Sequence, residues 1–183
     1  MKILMTLAIV LFATNIAAQS DSLSKPEIVN TDTPDQKKLA CDTPENKAFN
    51  FWVGTWRVTT PDGKPAGNSK ITSIEDGCVI RENWTSATSN FTGTSYNFYN
   101  KHTSQWEQIW LDNQGGRLHL RGDAKDNTMV LRTEDQKGED GKVSYNQITW
   151  TKNEDGTVRQ YWQVFSEGKE PQVSFDGLYT ANK

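Results

Sequence analysis

The segment Asp76-Gly77-Cys78-Val79-Ile80-Arg81-Glu82-Asn83-Trp84-Thr85 reads as a tight turn feeding a strand. Asp-Gly supplies the positive φ angles of a hairpin, and β-branched and aromatic residues follow it. Because a strand alternates its side chains, Ile80, Glu82 and Trp84 share one face and Arg81, Asn83 and Thr85 the other. Working outward, the same unit repeats. Turn signals recur at Pro61-Asp62-Gly63, Thr88-Ser89-Asn90, Asn100-Lys101-His102, Asn113-Gln114-Gly115-Gly116, Gly122-Asp123, Gly138-Glu139-Asp140-Gly141, Asp155-Gly156 and Glu167-Gly168. With Asp76-Gly77 these make nine connections and predict ten strands, each of about 7–11 residues. No interior stretch sustains a helical period. Short connections make an antiparallel meander, and a sheet this wide closes to remove its edges. The sequence therefore predicts an all-β, ten-stranded up-and-down barrel.

A short helix is predicted ahead of the first strand. Thr43 can cap it, Pro44 fits its first position, Glu45 suits its positive end, and it runs to about Phe49. The only cysteines, Cys41 and Cys78, fall at the same end of an up-and-down barrel, one before the first strand and one after the second turn. A bridge between them would close a loop of about 38 residues, contribute about 4 kcal/mol in the chain-entropy model, and pin the helix as a plug. The connections at the opposite end (61–67, 87–90, 112–116, 134–141 and 166–171) are mostly longer, which points to an open mouth there.

Targeting signals bound the domain. Lys2, the apolar run Ile3 to Phe12 and the small pair Ala17-Ala18 read as a secretory signal over 1–19, too short to span a bilayer. Residues 20–40 are rich in Ser, Asp, Thr, Lys and Pro and read as a solvated linker. Residues 41–183 then form one domain. Export, to periplasm or extracellular medium, is where a disulfide persists. Net charge is −3, with acidic and basic residues interspersed. No basic stripe suits nucleic acid, and no later segment suits membrane insertion. Two cysteines and two distant histidines, His102 and His119, do not make a metal site. A haem would need an axial histidine facing the interior; only His119 could serve, and it lacks the placement near the C-terminal strand of haem barrels similar to nitrobindin, so no cofactor is expected.

The stretch Phe51-Trp52-Val53-Gly54-Thr55-Trp56 opens the first strand, and its Gly54-x-Trp56 resembles the lipocalin and calycin signature. Around it stand Gly77 to Trp84, Gly93-Thr94-Ser95-Tyr96-Asn97-Phe98-Tyr99 and Trp106-Glu107-Gln108-Ile109-Trp110-Leu111-Asp112, in that order. Ile148-Thr149-Trp150, Asp155 to Trp162 and Phe175-Asp176-Gly177-Leu178-Tyr179 complete the series. Over about residues 41–182 it is similar to the exported, lipocalin-like bacterial family known only as domain of unknown function 1579. That resemblance implies a calycin-type barrel, with Gly54 and Trp56 structural at the closed end, and brings no established activity. Asn50 and Gln147 depart from the acidic and basic residues the family pattern carries there, and the loop before Pro171 lacks a tryptophan.

Seven tryptophans are a heavy load for this length. By parity Glu82 shares a face with Trp84, Gln108 and Asp112 share one with Trp106 and Trp110, and Gln160 shares one with Trp162. If these faces and Asn97 point inward, they line a small-molecule site in which rings stack on an apolar or aromatic ligand and polar groups orient it. Rings that simply fill the barrel are the alternative. Glu82 is the most informative charge. Desolvated, it could serve as a general acid or base, with Asp112 or Asp176 as partner. A structural ion pair with Arg159 or Arg121 is the commoner arrangement, and those arginines could equally lie over Trp56. The leading reading is thus an exported binding protein for a small apolar or aromatic molecule. An enzyme using the same cavity and a packed interaction module are the alternatives.

Overall fold

The structure, a computed structural model, describes residues 39–182. The expected signal over 1–19 and nearly all of the linker over 20–40 lie outside the described residues. Helix α1 (Pro44–Lys47) begins where Thr43 accepts a hydrogen bond from the Asn46 N–H and Pro44 takes the first turn. A turn of 3-10 helix over Asn50–Trp52 follows, ending the chain's entry into the barrel.

Eleven strands come next: β1 (Gly54–Thr59), β2 (Pro65–Ile74), β3 (Val79–Ser86), β4 (Thr92–Asn100), β5 (Gln105–Asp112), β6 (Arg117–Lys125), β7 (Thr128–Arg132), β8 (Gln136–Lys137), β9 (Val143–Lys152), β10 (Val158–Ser166) and β11 (Gln172–Ala181). Each barrel strand pairs antiparallel with its neighbours, β7 pairs directly with β9, and β11 returns to β1. The result is a closed ten-stranded barrel, as the turn spacing predicts; β8 is a two-residue addition beside β9.

One turn lies elsewhere than expected. Gly122-Asp123 is interior to β6, and the reversal falls at Asp126-Asn127, where Asp126 adopts a φ of +53°. Gly122 is needed for closeness rather than for a turn. A Cβ there would sit 2.0 Å from the Val130 carbonyl oxygen on β7, so only glycine lets the two backbones approach.

The base of the barrel is filled from below. Phe49 and Trp52, both fully buried, stack with centroids 5.0 Å apart and meet Trp150 at 5.2 and 5.4 Å. Trp56 donates its indole N–H to the Trp52 carbonyl at 2.9 Å, which ties the Gly54-x-Trp56 strand to the plug. Cys41 and Cys78 are joined at the same end, 37 residues apart. That bond marks a non-cytoplasmic, oxidising location. Among the described residues no helix is long and apolar enough to cross a membrane.

Candidate functional site

Above the plug the barrel is hollow. A cavity of about 350 Å³ lies in its upper half, and its floor, wall and rim come from successive inward positions along the strands. On β3 these are Glu82, Trp84 and Ser86; on β5, Gln108 and Trp110; on β10, Gln160 and Trp162; on β11, Tyr179 and Phe175. Leu118 and Ile148 complete the wall, and Ser89 and Phe91 of the β3–β4 loop border the mouth. The interior is therefore not filled by its own side chains. A wider groove of about 960 Å³ runs outside the barrel beside β6, and four of its charged residues pair with one another: Arg121 with Glu134, and Arg132 with Asp135.

Two glycines make room for the aromatic walls. A Cβ at Gly67 would fall 2.5 Å from the Trp84 ring, and one at Gly93 only 2.1 Å from the Trp110 ring. Each indole thus lies over a bare stretch of the neighbouring strand. Trp84 then meets Phe175 edge-on at 5.8 Å and Tyr179 at 6.5 Å, while Trp110 lies 6.3 Å from Phe91. The Trp162 N–H is satisfied by Asn146 at 2.8 Å, which fixes that ring's tilt.

The floor is a directed polar network. Gln108 donates to Asn97 at 2.8 Å, and Asn97 donates to the Ile80 carbonyl and to Ser95, each at 3.0 Å. Ser95 already accepts from Asn97, so its own proton goes to Glu82 Oε2 at 3.0 Å, and Ser69 donates to Glu82 Oε1 at 2.9 Å. One branch, Gln108 to Asn97 to Ser95, runs to the Glu82 carboxyl, and Ser69 donates to it from the other side. Glu82 is 4 % exposed. Burial pushes it up to about 7, against the pull of the two serine hydroxyls. Tyr179 donates to the Gln160 side-chain oxygen; burial, reinforced by the Glu82 charge, holds its hydroxyl well above the ordinary phenol range.

The structure brings Glu82, Trp84, Gln108, Trp110, Gln160 and Trp162 together around one space. Two other expected ligand contacts do not line it. Asn97 is fully buried, directly across the β4–β5 ladder from Gln108, and bonds Gln108 and Ser95 instead of lining the space. Trp106 belongs to the plug: its indole donates to the Glu45 carbonyl at 3.1 Å, and its ring meets Phe49 at 5.7 Å. Parity gives a residue's face; the plug, which occupies the lower layer, decides whether that face meets the cavity.

The expected ion pair for Glu82 is not formed. Arg159 points outward, makes a two-pronged pair with Asp176 at 2.7 and 2.8 Å, and lies over the Tyr161 ring rather than Trp56. Arg121 is also outside, between Glu107 and Glu134. Asp176 is thereby removed as a partner for Glu82. Asp112 is removed as well. It closes the β5–β6 loop by accepting from the Gly116 and Gln114 N–H groups, which hold its carboxyl below the usual range. His119 faces out and is hydrogen-bonded to Glu107 at 2.7 Å, so it cannot serve as an axial ligand inside.

Sequence reasoning missed Ser69, Ser95, Phe175 and Tyr179. Ser95 follows from Asn97 by one step of strand alternation, whereas β2 and β11 carried no residue assigned inward from which Ser69, Phe175 and Tyr179 could be reached. Gly67 and Gly93 carry no such signal, since their role depends on which indole crosses them. No protein-family model matches the sequence, and no curated protein matches it significantly. The chemistry is accordingly read from the cavity itself.

Proposed function

We propose that this protein is a small-molecule-binding protein that holds an apolar or aromatic ligand inside the barrel. It would act in the cell envelope or outside the cell as an exported carrier or sensor, within the lipocalin-like family its motif series resembles. The observation that supports this most is a cavity walled by Trp84, Trp110, Trp162 and Phe175 over a polar floor. Its volume of about 350 Å³ sits at the small end of the range of roughly 300–1,000 Å³ usual for ligand sites. The secretory signal read from residues 1–19 and the disulfide both fit an exported carrier.

Glu82, raised to about 7, favours a second reading as an enzyme acting on the same ligand. That reading lacks a partner group, because Asp112 and Asp176 are engaged elsewhere and Tyr179 holds its proton.

Titration with indole, followed by calorimetry, tests the binding reading. Wild-type protein binds, and Leu118→Trp, which fills the cavity from its wall, removes the heat. Equal binding by both proteins would place indole outside the barrel and sink the proposal.

A further inference from the structure

The floor of the cavity contains a charge without a counter-charge. Glu82 accepts from two neutral hydroxyls, and none of the seven ion pairs among the described residues includes it. Every element packed against it contributes neutral groups: Ser69 from β2, Ser95 and Asn97 from β4, Gln108 from β5, Gln160 from β10 and Tyr179 from β11. The nearest cations in sequence, Lys70 and Arg81, alternate onto the outer face. A buried carboxylate is ordinarily paired, because its desolvation is costly alone. Here the two serines orient it and the counter-charge has been left out.

The surroundings are those that attract a cation. Trp84, Trp162 and Tyr179 present aromatic rings to the same space, and ring faces attract positive charge most strongly where water is excluded. Gln108 spends its N–H groups on Asn97 and Ser95, which leaves its side-chain carbonyl oxygen free to accept. Gln160, its oxygen engaged by Tyr179, keeps its N–H groups for an acceptor on the ligand's body. An anionic ligand would meet the Glu82 charge with one neutral amide to hold it. A fully apolar ligand would leave the Glu82 charge, the Gln108 oxygen and the Gln160 N–H groups without a partner.

We infer that the cavity selects a small organic amine in its protonated form, the ammonium seated on Glu82 and the apolar body between the tryptophan rings. The inference rests on the cavity being a ligand site, as proposed above. It carries a proton balance. Below neutrality Glu82 is a carboxylic acid, and seating an ammonium on it forms the ion pair and expels that proton to solvent; above neutrality the carboxylate is already ionised and nothing is released. With the Glu82 group near 7, affinity at pH 6 is about tenfold below that at pH 8, and close to one proton is released at the lower pH.

The test uses the disulfide-bonded protein and three indoles of similar size: tryptamine, the neutral tryptophol and the anionic indole-3-acetate. Calorimetry at pH 6 and pH 8, in buffers of differing ionisation heat, reads affinity and proton release together. Tryptamine binds tenfold or more tighter than tryptophol at pH 8, indole-3-acetate is weakest, and only tryptamine releases a proton at pH 6. Glu82→Gln lowers the tryptamine-to-tryptophol preference by tenfold or more and abolishes the release; the wild-type ligand and pH series stands even if that variant folds poorly. Tryptophol matching tryptamine at pH 8, or tryptamine binding with no proton release at pH 6, overturns the amine assignment while leaving the cavity reading intact. Failure of all three to bind overturns it too, and the indole and Leu118→Trp comparison then decides the cavity separately.

Discussion

Replacing Glu82 by glutamine changes how stability depends on pH, and the size of that change follows from the site. The Glu82 carboxyl moves from an ordinary 4.5 to about 7 on folding, chiefly through burial. Between those values the folded chain holds a proton the unfolded chain has lost, so stability falls as pH rises. Above about 7 both states are ionised and the full deficit persists. A shift from 4.5 to about 7, at about 1.36 kcal/mol per pH unit, makes that deficit about 3 kcal/mol. The substituted amide carries no charge. Its oxygen can accept from Ser95 and its N–H groups can donate to Ser69, so the network closes without desolvating an ion.

Urea unfolding of both proteins with the disulfide intact, in steps from about pH 4.5 to pH 8.5, measures this directly. The free-energy difference between variant and wild type rises across that window by about 3 kcal/mol in the variant's favour and then levels off. Glu107 does not disturb the comparison. Its carboxyl is desolvated, yet hydrogen bonds from Asn100 and His119 and the charges of His119 and Arg121 lower it, so its contribution is lost only below the ordinary glutamate range and is common to both proteins. A difference that stays flat from pH 5 to pH 8 would refute the claim that Glu82 is buried without a counter-charge.

Three further outcomes follow from the geometry. Cys41→Ser with Cys78→Ser frees a loop closed over 37 residues and lowers unfolding free energy by about 4 kcal/mol, read as a drop in urea midpoint. Gly93→Ala drives a methyl into the Trp110 ring, 2.1 Å away; the indole swings into the cavity, stability falls by about 1–3 kcal/mol, and indole affinity measured by calorimetry falls tenfold or more. Trp106→Ala removes a 3 % exposed ring packed against the plug and costs about 3–5 kcal/mol by urea unfolding, while indole affinity is retained because that ring does not border the cavity.

The barrel and its disulfide were legible because they rest on local chemistry. Asp76-Gly77 and Asp155-Gly156 both fall between strands, and parity around them assigns faces without knowledge of the whole, although Asp176-Gly177 runs through the middle of β11. Gly122 shows where that stops. The same residue serves a turn and a close backbone approach, and only the position of the Val130 carbonyl on the next strand distinguishes them. Height within the barrel was equally hidden. Asn97, Trp106 and Asp112 share inward parity with genuine cavity residues, but Asn97 is spent on the Ile80 carbonyl, Ser95 and Gln108, the plug covers Trp106, and the loop after β5 holds Asp112 at the rim.

The misplaced partner of Glu82 is different, because the answer was available. Assigning Gln160 and Trp162 inward already sends Arg159 outward, and the alternation that puts Leu120 in the core sends Arg121 the same way. The expectation of an ion pair came from what buried carboxylates generally do, and it outweighed the register of the strands involved. Taken strictly, the alternation leaves no cation on any inward position near Glu82, so that carboxyl either keeps its proton or takes its counter-charge from a ligand. That makes the missing partner, more than the tryptophans, the feature that narrows the ligand: rings accept any flat apolar molecule, whereas an unpaired buried carboxylate discriminates by charge.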